Sequence, residues 1–153
     1  KYEEGGIIKN GSKLINAVSN SEVPHLTLMI GSSYGAGNYG MNGRSYNPRF
    51  LFTYPNAKSG VMGSEQLAGV MEIIKIQSAK SYGKKIDLKN LEKEKTELIK
   101  KMSEKETAWF STSEMWDDGV IDPRETRNYL GFSLAIVYNQ LIKGTSNYGV
   151  FRM

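Results

Sequence analysis

Cysteine is absent from these 153 residues, and histidine occurs once, at position 25. Without thiols there is no disulfide framework and no thiolate metal site. With one imidazole there is no zinc centre built on several histidines, and a Ser-His-Asp triad would have to use His25. That residue follows Pro24 at the start of an apolar run, where packing or surface duty is the simpler role. No metal site is therefore expected. Long apolar runs are also missing: none approaches the ~18 residues that a membrane span requires. The opening Lys1-Tyr-Glu-Glu4 carries neither a methionine nor a targeting pattern, so we expect the chain to begin inside a longer polypeptide.

What is present points to one folded domain. Hydrophobic residues make up 39% and charged residues 24%, an ordinary balance that argues against disorder. The net charge of +4 comes largely from lysines between positions 80 and 105. These alternate with Glu92, Glu94, Glu97, Glu104 and Glu106, the pattern of a solvated helix face and not of a nucleic-acid stripe.

Apolar positions at helical spacing predict a helix over 6–20, ended by Ser21-Glu-Val-Pro24. His25-Leu-Thr-Leu-Met-Ile30 reads as a buried strand and Phe50-Leu-Phe-Thr-Tyr54 as a second, the two adjacent in one sheet. Val61-Met62 and Val120-Ile121 are short extended candidates. Ser64 is the expected cap of a helix to about Ile76, and Asp87 of a charged outer helix to about Glu106. Trp109 to Asp118 reads as a linker or short helix. Asp122-Pro-Arg-Glu125 is a helix start, with Asp as cap and Pro in the first turn, for a helix to about Ile142. The tail from Asn147 has no helical pattern. Strands alternating with helices give an α/β fold with parallel pairing.

Between the two strands lies Gly31-Ser-Ser-Tyr-Gly-Ala-Gly-Asn-Tyr-Gly-Met-Asn-Gly43. A strand that breaks into small residues and then turns helical leaves N–H groups without partners. They can hold a phosphate or stabilise an oxyanion. Gly35-Ala-Gly37-Asn-Tyr-Gly40 matches the dinucleotide pattern G-x-G-x-x-G, but that use needs a long crossover helix and a downstream acid. Asn42-Gly43 and Pro48 limit the helix to about two turns, and the second strand closes in Tyr54-Pro55-Asn56. An oxyanion hole needs neither feature and suits the amides of Ala36 and Gly37. A tight turn without a ligand accounts for the glycines equally well.

Tyr2-Glu-Glu-Gly-Gly-Ile-Ile-Lys-Asn-Gly-Ser-Lys13, the glycine segment through Arg44, Tyr46-Asn-Pro-Arg-Phe-Leu51, Tyr54-Pro-Asn-Ala57, Val61-Met-Gly-Ser-Glu-Gln66 and Trp116-Asp-Asp-Gly-Val-Ile-Asp-Pro123 with Thr126-Arg127 together resemble the biotin-dependent acyl-CoA carboxyltransferases. The form Gly-Ala-Gly-Asn-Tyr-Gly and the ending Gly-Val-Phe-Arg-Met153 resemble most the branch of methylcrotonoyl-CoA carboxylase β subunits. The resemblance spans nearly the whole chain except the Lys/Glu helix.

The resemblance implies a crotonase-like (ClpP/crotonase) ββα superhelix. Residues 1–153 would be the C-terminal part of a carboxyltransferase C-domain, with 80–106 as a charged surface helix. It implies transfer of CO2 from carboxybiotin to 3-methylcrotonyl-CoA in leucine degradation. Alternatives are another acyl-CoA, propionyl- or geranyl-CoA, or a non-catalytic dinucleotide module at Gly35-Ala36-Gly37. Biotin would arrive on an α subunit, since no Ala/Val-Met-Lys-Met attachment pattern occurs in the chain. The other implied partners are the rest of the β subunit and further β subunits, in a hexamer. The location would be the mitochondrial matrix in a eukaryote and the cytoplasm in a bacterium.

By the same resemblance, the backbone amides of Ala36 and Gly37 are the oxyanion donors to biotin. Tyr34, Gly35, Asn38 and Tyr39 belong to the biotin pocket, although packing serves the two tyrosines as well. Glu65 reads as a helix-start carboxylate. Arg44 and Arg49 are candidates for carboxylate pairing or anion contact, and Trp109 and Trp116 for core or interface anchors.

Overall fold

A computed structural model of the chain describes residues 2–83 and 85–146. Helix α1 (Ile7–Ser19) leads into strand β1 (Leu26–Met29), then β2 (Ser32–Tyr34) and the short helix α2 (Gly35–Gly40). A 3-10 turn at Arg44–Tyr46 precedes β3 (Phe50–Thr53), β4 (Lys58–Gly60) and α3 (Ser64–Ser81). The long α4 (Leu88–Lys105), the short α5 (Ala108–Ser113), a 3-10 turn at Pro123–Glu125 and α6 (Thr126–Val137) complete the order.

β1 pairs with β3 in parallel, Leu26 opposite Phe50 and Met29 opposite Thr53. This bears out the expected adjacency of the two apolar strands. β2 and β4 form a second parallel pair, Ser32 opposite Lys58 and Tyr34 opposite Gly60. The chain thus repeats a strand–strand–helix unit, β1-β2-α2 and then β3-β4-α3, with equivalent strands side by side. A parallel bridge between Thr53 and Val120 extends the β1-β3 pair on the far side of β3.

β3 is the best buried strand because it lies between β1 and the 118–121 segment. Leu51 and Phe52 are buried. The Leu51 amide donates to Asp118 Oδ2 at 2.7 Å, and the Asp118 amide donates to the Leu51 carbonyl at 2.8 Å. One Asp side chain thereby replaces a strand carbonyl. At the other end, Tyr54 Oη and Thr126 Oγ1 share a hydrogen bond of 2.6 Å, tying β3 to the start of α6.

Thr53 is almost wholly buried, and its hydroxyl has no partner among the described residues. An unmet buried hydroxyl costs free energy that a methyl group of the same shape does not. Thr53→Val is therefore expected to raise unfolding free energy by about 1 kcal/mol. A lower denaturation midpoint in the variant would contradict this.

Asp87 caps α4 as expected, accepting from the amides of Lys89 and Asn90. Asp122 accepts from the Arg124 amide at 2.9 Å, with Pro123 in the first turn. Several boundaries differ from expectation. Gly63, not Ser64, occupies the cap position of α3, and the helix continues to Ser81. The segment 80–106 therefore holds the end of α3, a turn and α4. The extended stretch expected at Val61-Met62 lies earlier, at Lys58–Gly60. α6 stops at Val137, short of Ile142. The expectation for the tail from Asn147 lies outside the described residues.

α4 packs on α3 through buried Leu91 and two charge pairs, Lys75–Glu94 and Lys95–Glu72. Among the described residues no helix is long and apolar enough to cross a membrane.

Candidate functional site

The glycine turn falls where β2 ends and α2 begins. Tyr34 is extended, with φ −124° and ψ 147°, and occupies the cap position without a capping side chain. Gly35 follows at φ +51°, and a Cβ there would sit 3.1 Å from the Val61 carbonyl oxygen. Glycine is favoured at this position by both its backbone angle and the close approach. Gly37 has neither constraint: a Cβ there would meet nothing within 4 Å. The steric demand on the turn thus sits at Gly35, while Gly37 faces open space.

Gly35, Ala36 and Gly37 occupy the first turn of α2, where a helix supplies no carbonyl partner for its amides. Ala36 and Gly37 are exposed. This is the arrangement in which two neighbouring amides can meet one anionic oxygen. α2 has only six residues, far short of the crossover helix that a dinucleotide fold requires.

Asn38 has structural duties. Its Nδ2 donates to Ser33 Oγ at 2.9 Å, and the Gly43 amide donates to its backbone carbonyl at 2.7 Å. A Cβ on Gly43 would fall 1.9 Å from Asn38 Oδ1, so Gly43 makes room for this side chain. Tyr39 packs edge-on against Tyr46, centroids 5.7 Å apart, and stays partly exposed. Gly35, Asn38 and Tyr39 face a cavity of about 800 Å3, shared with Met62, Glu106 and Trp116. Tyr34, Ala36 and Gly37 do not line it.

The Tyr34 ring lies against Gly60 and Gly63, where an added Cβ would come within 3.6 and 3.8 Å of it. Its hydroxyl donates to Glu106 Oε2 at 2.9 Å. Burial, then the hydrogen bond and negative charge of Glu106, push the phenol up to about 12, so it remains a donor at neutral pH. The other Glu106 oxygen accepts from the Ser64 amide at the start of α3. The Glu106 carbonyl accepts from the Ser59 amide in β4 at 2.9 Å. Sequence reasoning placed Glu106 on a solvated face, whereas it is 4% exposed. One signal was available: an acid at the C-terminal end of a helix opposes the macrodipole and needs another reason to be there.

The remaining candidates scatter. The Arg44 guanidinium sits 5.0 Å from the Trp116 ring centroid, and that of Arg49 sits 4.8 Å from Phe50. Trp116 meets Phe110 edge-on, while Trp109 is 61% exposed and no core anchor within this chain. Glu65 is exposed in the first turn of α3, as a helix-start carboxylate should be. The side chain of His25 bonds to Ser21 Oγ at 3.0 Å. No cluster of metal-ligating side chains occurs among the described residues.

The family model for the carboxyl transferase domain matches residues 1–149. A probable biotin-dependent acyl-coenzyme A carboxylase beta2 subunit of Mycobacterium tuberculosis is 54% identical over 99% of this chain and 29% of its own length. A probable mitochondrial methylcrotonoyl-CoA carboxylase beta chain of Drosophila melanogaster is 44% identical over 99% of this chain and 26% of its own. Among solved structures, the β subunit of P. aeruginosa geranyl-CoA carboxylase superposes with a TM-score of 0.78 at 43% identity, over 99% of this chain and 28% of that one. The transcarboxylase 12S core, a hexamer assembly, gives 0.75 at 25% identity over 99% and 27%. The chain thus spans less than a third of the length of these relatives. With the match covering nearly every residue, and with distant sequence motifs meeting on β3, the chain belongs to the carboxyl transferase domain family of biotin-dependent acyl-CoA carboxylase β subunits.

Proposed function

We propose that this chain is the C-terminal part of the C-domain of a carboxyltransferase β subunit and provides the biotin side of its active site. The repeated strand–strand–helix unit supports a crotonase-like ββα superhelix. The observation that carries the functional reading is the uncapped, exposed first turn of α2, with Gly37 opening onto free space. The turn fits a ureido oxygen because Ala36 and Gly37 present neighbouring amides and no bulky side chain.

Bound carboxybiotin supplies the CO2 to be transferred. The chain's own contribution is positional and electrostatic: the Ala36 and Gly37 amides hold an oxygen on which negative charge grows. Tyr34, Gly35, Asn38 and Tyr39 shape the turn around them. Acyl-CoA is the second substrate, and biotin is carried by a partner α subunit. Assembly with the rest of the β subunit and with other β subunits into a hexamer follows the 12S relative.

The acyl group is 3-methylcrotonyl, on the support of the Gly-Ala-Gly-Asn-Tyr-Gly form and the Drosophila relative. The geranyl-CoA carboxylase likeness favours a second reading, a larger branched acyl chain. In a eukaryote the enzyme works in the mitochondrial matrix, in keeping with the same Drosophila relative, and in a bacterium in the cytoplasm. Full-length β subunit, assembled with its biotin-bearing partner, is expected to turn over 3-methylcrotonyl-CoA with kcat/KM at least about tenfold above geranyl- or propionyl-CoA. A preference for geranyl-CoA would establish the second reading, and no transfer to any acyl-CoA would sink both.

A further inference from the structure

Glu106 is a buried carboxylate with both oxygens engaged, one by the Tyr34 hydroxyl and one by the Ser64 amide. Tyr34 is the residue from which α2 departs, directly before Gly35-Ala36-Gly37. Ser64 is the first residue of α3, whose own cap position is a glycine with no side chain to offer. One carboxylate therefore caps α3 from outside and anchors the ring at the root of the glycine turn. The loop between β4 and α3 closes the same cluster, because the Val61 carbonyl lies against Gly35. Glu106 also faces the cavity bordered by Gly35, Asn38 and Tyr39.

We infer that Glu106 is a positioning residue for carboxyl transfer, acting through Tyr34 to fix the direction of the amides in the first turn of α2. The inference rests on the reading of that turn as the biotin-side oxyanion hole. Glu106 touches no reacting atom. Its carboxylate holds the ring, the ring holds the cap residue, and the cap residue sets where the next amides point. A displacement of these donors by a fraction of an ångström weakens their bond to a developing anion more than their bond to the ground state. The loss should therefore appear in kcat and not in acyl-CoA binding.

The test uses the full-length β subunit assembled with its biotin-bearing partner. Tyr34→Phe removes one oxygen and keeps the ring. It is expected to lower kcat by roughly tenfold to a hundredfold, with KM for acyl-CoA within about twofold of the parent. Glu106→Ala should lose at least as much. Glu106→Gln should recover to within about threefold of the parent, since its carbonyl can accept from Ser64 while its amide donates to the Tyr34 oxygen. A merely structural carboxylate would give no such split between kcat and KM. Gly37→Val serves as the reference. If it abolishes transfer while Tyr34→Phe keeps parental kcat, the positioning role is wrong and the site reading stands. If Gly37→Val also retains transfer, the site reading itself fails, and this inference with it. Should Glu106→Ala fail to assemble, Tyr34→Phe decides alone.

Discussion

Gly37→Val in the assembled full-length enzyme is expected to reduce carboxyl transfer by at least about a hundredfold, the scale of losing one oxyanion donor. The fold gives no reason for such a loss. A Cβ at position 37 meets nothing within 4 Å, and the backbone there is not left-handed. Valine also has a better helix propensity than glycine. On the proposed reading of the turn, the loss would come from the added side chain crowding the approach of a ligand oxygen to the first-turn amides. Gel filtration and thermal melting should match the parent while turnover collapses. Near-normal turnover would remove the oxyanion assignment. Thermal protection of the chain by a nicotinamide cofactor would favour the dinucleotide use.

Phe52→Ala is expected to cost the most stability, on the order of 3–5 kcal/mol. Phe52 is buried in β3, stacked with Phe50 at 6.0 Å and edge-on to Tyr129 of α6 at 5.4 Å. Truncation removes the ring that joins the sheet to α6 and leaves a cavity which β3, held by β1 on one side and Asp118 on the other, cannot close. The measurement is the melting temperature of the assembled enzyme, with Phe52→Leu as a milder companion. An unchanged melt in the alanine variant would show that α6 is held by other contacts.

The legible parts of the fold were those with strong apolar pattern or punctuation. Leu26–Met29 and Phe50–Thr53 are apolar enough to announce themselves, and their pairing followed. Ser32-Ser33-Tyr34 and Lys58-Ser59-Gly60 have no alternation to read. They become strands because the parallel pair before them delivers both segments to the same place. The polar end of α3, Gln77 to Ser81, was invisible to a reading based on an apolar stripe. Asp87 and Asp122 were readable as caps because capping is local chemistry. Ser64 misled for the same reason: it has a good cap side chain, but a carboxylate forty-two positions along the chain took its amide.

The glycine turn was legible as a place but not in its parts. Local pattern located it between β1 and β3 and limited its helix to a few residues. The division of labour among its glycines depended on the 60–63 loop and on Asn38, neither of which is near in pattern terms. Gly35 answers to the Val61 carbonyl and Gly43 to the Asn38 side chain, while within α2 Gly37 meets no neighbour that would exclude a side chain. Glu106 was illegible because its partners, Tyr34 and Ser64, lie in separate elements.

The turn between α3 and α4 offers a practical handle. Tyr82 is 76% exposed, and Gly83, at φ +62°, has nothing within 4 Å of an added Cβ. Below it the helices are joined by ordinary Lys–Glu pairs that many sequences can reproduce. Exposed tips of this kind accept insertions. A fluorophore or affinity tag placed there would report on the enzyme without entering the glycine turn, giving an engineer a labelling position that the chemistry does not contest.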